Sequence, residues 1–242
     1  MKEELKNEYN EIFENEDKTA PLALIFAVFI IFIYCYFGSS SFFKITFDYL
    51  DNVDYYSIIY HNCMSFVLFF CFGMFFVKFV MKKNLKDYGL GLGNVKLGGW
   101  LILLGTIVVP IIAFTVLLNP EMISYYPLVD LHANNTWWQW VLYFGSYVLY
   151  YIGWEFLFRG IMLFGTKERF GILGAILVTT LISALIHTSI AGFGKPMIET
   201  LSAIFAGIIF AYITNKTNSI YYSLYMHILI GICTDLYIFA LA

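Results

Sequence analysis

Four residues of this 242-residue sequence place ionisable chemistry where it is rare: Glu155, Arg159, His187 and His227 each lie inside a long apolar run. A charged side chain at the centre of a bilayer costs about 3 kcal/mol or more, so such residues are functional candidates by default. Glu155 and Arg159 are four positions apart and share a helix face. They form either a self-neutralising pair that pins one helix to its neighbours, or an acid/base site in which Arg159 holds Glu155; the two readings are compatible. At ~1.5 Å per residue, Glu155, His187 and His227 rise roughly 15, 20 and 12 Å from the ends of their runs on one side. The expectation is one cavity at matching depth, opening to the cytoplasm. A glutamate can take a proton from water, and histidines can donate to an oxyanion or protonate a leaving amine. The same set could hold zinc, but the sequence has no HExxH or comparable ligand pair. The metal reading therefore ranks second, and no metal or other cofactor is predicted. Two further carboxylates are weaker candidates. Glu199 reads as an interfacial partner of Lys195, and Asp235 as pointing toward the outer interface.

The elements that must position these residues follow from composition. Hydrophobic residues make up 60% of the chain and charged ones 13%, with a mean hydropathy of +0.75. That excludes a soluble enzyme, a disordered chain and a nucleic-acid binder. Seven continuous apolar runs, at about 20–37, 56–81, 97–118, 137–164, 171–190, 197–214 and 219–241, predict an all-α polytopic membrane bundle of seven to eight transmembrane helices. The fourth run is long enough to tilt or to be two pieces. The runs do not alternate, so a transmembrane β-barrel is excluded. An acidic segment, 1–19, precedes a single transmembrane domain, 20–242.

Lys and Arg give the orientation. Lys2, Lys6, Lys18, Lys82, Lys83, Lys86, Lys96, Lys167, Arg169 and Lys216 fall on one side; Lys44 and Lys195 fall on the other. The N-terminus is therefore expected in the cytoplasm, with the protein multi-pass in a cell membrane. Cys35, Cys63, Cys71 and Cys233 sit in apolar runs and read as packing residues. The Gly-rich segment 85–99 lacks the ending of a phosphate-binding loop and reads as a flexible cytoplasmic turn. Trp137, Trp138, Trp140, Tyr125 and Tyr126 read as an outer interfacial belt.

The segments YIGWEFLFRGIMLFG (151–165), ISALIHTSI (182–190), FGKPMIETLSAIFAGIIFAYITNKTNSI (193–220) and SLYMHILI (223–230) resemble the CPBP family of intramembrane proteases, also called the CAAX protease and bacteriocin-processing, or Abi, family. The Gly-rich segment 88–98 resembles the loop that family carries before its third helix, so the resemblance covers roughly 85–242. It implies a helical glutamic endopeptidase acting on a peptide or lipidated protein substrate among membrane lipids, with signatures EExxxR, FxxxH and HxxxN. In the family the first Glu activates water, and the two His and the Asn stabilise the oxyanion. Glu155 and Arg159 match the second Glu and the Arg; His187 and His227 match the two His. Trp154 stands in place of the first Glu, Ser183 in place of the Phe and Gly231 in place of the Asn. A subset of bacterial relatives shares an aromatic residue before the Glu and a GKPxxE segment like Gly194–Glu199, which implies a bacterial type. Three readings remain: an endopeptidase using Glu155, Arg159, His187 and His227; a catalytically silent member acting in peptide binding or bacteriocin self-immunity; and, last, a small transporter or channel, for which the sequence shows no paired half-repeats.

Overall fold

The structure is a computed structural model that describes residues 18–133, 136–188 and 194–241. Nearly all of the acidic segment predicted at 1–19 lies outside the described residues. Among those described there is no strand, and six stretches are long and apolar enough to cross a membrane. They are α1 (Thr19–Phe37), α3 (Val53–Val80), α4 (Val95–Leu118), the stretch Trp137–His187, α8 (Met197–Thr217) and α9 (Tyr221–Leu241). Two short helices, α2 (Ser40–Thr46) and α5 (Pro120–Tyr125), join them at one end.

The 51-residue stretch is not one rod. Gly171 has φ 68° and ψ 168°, a region open essentially to glycine alone. The chain reverses there, so α6 (137–170) and α7 (172–187) form a helical hairpin. Leu163 packs on Ala175 and Ile176 beside the turn, the Thr179 hydroxyl donates to the Phe158 carbonyl at 2.7 Å, and Trp154 meets His187 at the far end. The fourth and fifth apolar runs are these two arms. Their boundary lies at Gly171, because Lys167, Glu168 and Arg169 continue the helix past the last apolar residue of the run.

Apolar spacing explains how the other helices dock. On α1, Ala20, Ala23, Ala27, Ile30 and Tyr34 form one buried stripe at helical spacing, while Ile25, Phe29, Phe32 and Tyr36 face outward. Helices α3 and α6 run parallel and are joined by polar contacts. The Tyr55 hydroxyl donates to Gln139 O at 2.6 Å, Asn62 Nδ2 to Ser146 Oγ at 2.9 Å, and Ser65 Oγ to Tyr150 O at 3.0 Å. Interhelical hydrogen bonds in membranes are worth only about 0.6 kcal/mol each, so their chief effect is register rather than stability. Helix α9 runs antiparallel to α6 and packs on α4, where Tyr222 lies against Gly98 and Met226 against Gly105.

The loops gather at two ends. The lysine-rich end holds 81–94, the Gly171 turn and 217–221; the other holds 38–52, 119–133 and 194–196. The Gly-rich segment is pinned rather than flexible. Ile220 N donates to Gly89 O at 3.1 Å, Asn94 N to Thr217 O at 2.7 Å and the Tyr222 hydroxyl to Leu92 O at 2.7 Å. Of the aromatic residues assigned to a belt, Trp137 and Trp138 are exposed, Trp140 packs edge-on against Phe239, and Tyr126 is buried. All four cysteines are free thiols.

Candidate active site

Glu155 closes the α-helical part of α6, and the seven residues Phe156–Met162 that follow form a π-helical turn containing Arg159. Such wide turns are rare and concentrate at functional sites. Glu155 is 0% exposed, and its carboxylate has three partners. Oε1 accepts from His227 Nδ1 at 2.7 Å and lies 3.4 Å from Arg159 Nη1, while Oε2 accepts from Ser223 Oγ at 2.8 Å. Ser223 and His227 are four residues apart on α9, so one face of that helix grips both carboxylate oxygens. In the sequence the one sign of Ser223 is its four-residue spacing from His227.

His187 is the last residue of α7, and its Nδ1 lies 2.7 Å from the Ser183 carbonyl one turn earlier. A carbonyl and a carboxylate only accept hydrogen bonds, so Nδ1 of both His187 and His227 carries the hydrogen when the rings are neutral. Nε2 of each ring then keeps its lone pair, and among the described residues it has no hydrogen-bond partner. Trp154 stands edge-on to His187, with centroids 5.5 Å apart and planes at 87°, and stacks on Tyr150. The indole thus forms the wall that a carboxylate at position 154 would have made polar.

His187, His227, Trp154 and Tyr150 border a cavity of about 210 Å³. Tyr147, Tyr150, Tyr151 and Trp154 line it from α6, His187 from α7, Glu199 and Phe210 from α8, His227 and Gly231 from α9, and Ile112 and Val116 from α4. The cavity therefore brings His187 and His227 together. Glu155 and Arg159 do not line it; they lie behind His227.

The expected opening toward the lysine-rich side is not what the fold provides. The space on that side of Glu155 is filled by buried Arg159, Thr214 and Ser223, with Thr214 Oγ1 2.9 Å from Ser223 Oγ. The cavity instead extends to Asn119, Met122, Tyr126, Lys195 and Glu199 at the other end. Helix rise gives the level of a residue, but not the direction in which the space beside it stays unfilled.

At that mouth Lys195 Nζ lies 2.5 Å from Glu199 Oε1 and 2.8 Å from the Tyr126 hydroxyl, which donates to Glu199 at 2.9 and 3.0 Å. The pairing of Lys195 with Glu199 is the one the sequence suggests; Tyr126, a belt residue by sequence, instead completes the cluster. Burial, and then the neighbouring Glu199 carboxylate, push the Tyr126 phenol well above its ordinary pKa, so its hydroxyl remains a neutral donor. Asp235 does not reach an interface. It is fully buried and accepts from the Tyr143 hydroxyl at 2.6 Å, because the antiparallel α6 covers that face of α9. Among the described residues no group of three His, Cys, Asp or Glu side chains is arranged to hold a metal ion. Glu155 and His227, two of the ligands that a zinc site would need, turn their nearest atoms on each other.

No curated protein and no solved structure matches the chain. Residues 136–233 match the model of the family described as type II CAAX prenyl endopeptidase Rce1-like. The matched segment contains Glu155, Arg159, His187, Ser223, His227 and Gly231, and it supports endopeptidase activity within a membrane. Over those residues, which carry Glu155, Arg159, His187 and His227, the chain is similar to the Rce1-like family, and it is there that the resemblance to the CPBP family of intramembrane endopeptidases falls.

Proposed function

We propose that the chain is a membrane-embedded endopeptidase that hydrolyses a peptide bond in a membrane-associated peptide or lipidated protein. The observation that carries this reading is His227, a half-buried imidazole on the cavity wall whose Nδ1–H is held by a fully buried carboxylate. A carboxylate in that position fixes the tautomer of the ring and stabilises its protonated form.

In the reaction, His227 Nε2 takes a proton from water as the water oxygen bonds to the scissile carbonyl carbon. Glu155 stabilises the imidazolium, and Arg159 compensates the buried carboxylate when the ring is neutral. The imidazolium then gives its proton to the amide nitrogen as the C–N bond breaks, so peptide and water become a carboxylic acid and an amine. His187 Nε2 accepts a hydrogen bond from the other O–H of the water and orients it, and that hydrogen stays on the oxygen that becomes part of the acid. Glu155 thereby acts through His227 rather than on water itself, which fits its absence from the cavity wall. Ile112, Val116, Ile198 and Ala206 offer an apolar side for the hydrocarbon part of a substrate. In a cell membrane with the N-terminus cytoplasmic, as the lysines favour, the cavity mouth faces the outer side.

The test is cleavage by the purified protein in nanodiscs of two probes, a farnesylated CaaX-type peptide and an unlipidated peptide with a transmembrane anchor. Cleavage of either probe by the native protein, abolished in His227→Ala and in His187→Ala, supports the reading. No cleavage of either, or cleavage undiminished in both variants, overturns it. A second reading, a silent peptide-binding or self-immunity protein, is favoured by Trp154 on the cavity wall where the family has its first glutamate. It requires that His227→Asn leave the cellular phenotype intact.

A further inference from the structure

In their neutral tautomers both histidines turn a lone pair, not a hydrogen, toward substrate, because each Nδ1–H is already given to Ser183 O or Glu155 Oε1. A peptide hydrolase also needs a donor where negative charge develops on the carbonyl oxygen. At the mouth, the Lys195 ammonium and the Tyr126 hydroxyl are engaged with Glu199. Three tyrosines of α6 line the cavity, and Tyr151 lies against His227 with ring centroids 4.3 Å apart. Its hydroxyl makes no hydrogen bond to another described residue.

Gly231 makes room for that hydroxyl. A Cβ at this position would sit 2.3 Å from the Tyr151 hydroxyl oxygen, 2.9 Å from its Cε2 and 3.0 Å from Tyr147 Cε1. Since Tyr147 packs against Tyr151 and His227 covers another side, the phenol has little space into which to swing. Any side chain at 231 would displace the Tyr151 phenol, which lines the cavity beside His227.

Building on the endopeptidase reading, we infer that Tyr151 is a catalytic residue whose hydroxyl donates to the carbonyl oxygen as it becomes an oxyanion, and that Gly231 is the positioning residue that lets it do so. Tyr151 keeps its proton throughout: it donates a hydrogen bond as the water oxygen adds to carbon, and that bond relaxes when the C–N bond breaks and the carbonyl re-forms. The assignment makes the absence of a side chain at 231 part of the site.

Three variants in nanodiscs, Tyr151→Phe, Gly231→Ala and the double variant, test this with the two peptides named above. Removing one such donor lowers kcat about 100- to 1,000-fold in other enzymes. Tyr151→Phe should do the same with KM little changed. Gly231→Ala should lower kcat comparably, and the double variant should be no worse than Tyr151→Phe, because both changes remove one interaction. A Tyr151→Phe protein that keeps kcat within about threefold of native overturns the assignment while leaving the endopeptidase reading intact. A measurement without turnover separates the two ideas. A phosphinate isostere of the farnesylated peptide carries a tetrahedral anion at the scissile position, and its Kd is compared with that of the parent peptide. The native protein should prefer the phosphinate, and Tyr151→Phe should lose about 100-fold of that preference. A native protein without the preference, or a variant that keeps it, overturns the role of Tyr151 whether or not cleavage is seen.

Discussion

Replacing Glu155 by glutamine isolates the charge of the buried carboxylate from its shape. Oε1 faces both His227 Nδ1 and Arg159, whereas Oε2 faces Ser223. In Glu155→Gln the amide oxygen therefore takes the Oε1 place, and the amide NH2 turns to Ser223, which can still donate to Ile220 O at 3.0 Å. The His227 tautomer and position are kept, and only the negative charge beside the imidazolium is lost. With unit charges about 4 Å apart and an effective dielectric constant of about 20, that attraction is about 4 kcal/mol. At about 1.36 kcal/mol per factor of ten, kcat should fall about 1,000-fold. The same change leaves the buried Arg159 guanidinium without its carboxylate, which should destabilise the fold by about 3–5 kcal/mol. Adding Arg159→Met removes the stranded charge, so the double variant should recover its thermal unfolding temperature but not its activity. Single-turnover cleavage and intrinsic-fluorescence unfolding in nanodiscs read the two quantities separately. A stable double variant that cleaves within about tenfold of the native rate would refute the pairing of Glu155 with His227 as the source of catalysis. A Glu155→Gln protein that unfolds at the native temperature would refute the buried ion pair.

Ser223→Ala removes a donor to a buried carboxylate and should cost about 1.5–3 kcal/mol of stability, read by the same unfolding assay. Gly171→Ala should cost about 1–3 kcal/mol from backbone strain alone, since a Cβ there meets nothing within 4 Å; an unchanged unfolding temperature would contradict the hairpin turn. Lys195→Met breaks the Lys195–Glu199–Tyr126 cluster at the mouth but leaves His187 and His227 in place, so it should change KM by more than kcat; steady-state kinetics on the anchored peptides decide.

What was legible in the sequence was whatever local periodicity controls. Continuous apolar runs located the crossings, and the four-residue spacing placed Glu155 and Arg159 together, because both depend only on neighbours along one helix. His187 and His227 converge as expected because each sits on a run of known length. Three features lay outside that logic. Glu155 turns away from the cavity because α9 supplies Ser223 and His227 on one face, a choice made between two helices. Tyr126 joins Glu199 because a loop folds over the mouth, and no period describes a loop. The closed lysine-rich side follows from small polar residues such as Thr214 filling the space beneath Ser223. Inside an apolar run, Thr214 carries no sign of which neighbour it will meet.

The π-helical turn that places Arg159 near Glu155 also bears on how the protein enters its membrane. Synthesis delivers α6 before Ser223 and His227 exist, and 72 residues separate Glu155 from its histidine. For that interval the carboxylate would face hydrocarbon alone, at a penalty of about 3 kcal/mol. Arg159, on the same helix and arriving with it, lets the segment insert as a neutral pair. The guanidinium is thus a built-in escort during biogenesis, and α9 completes the carboxylate's shell once it has threaded into place.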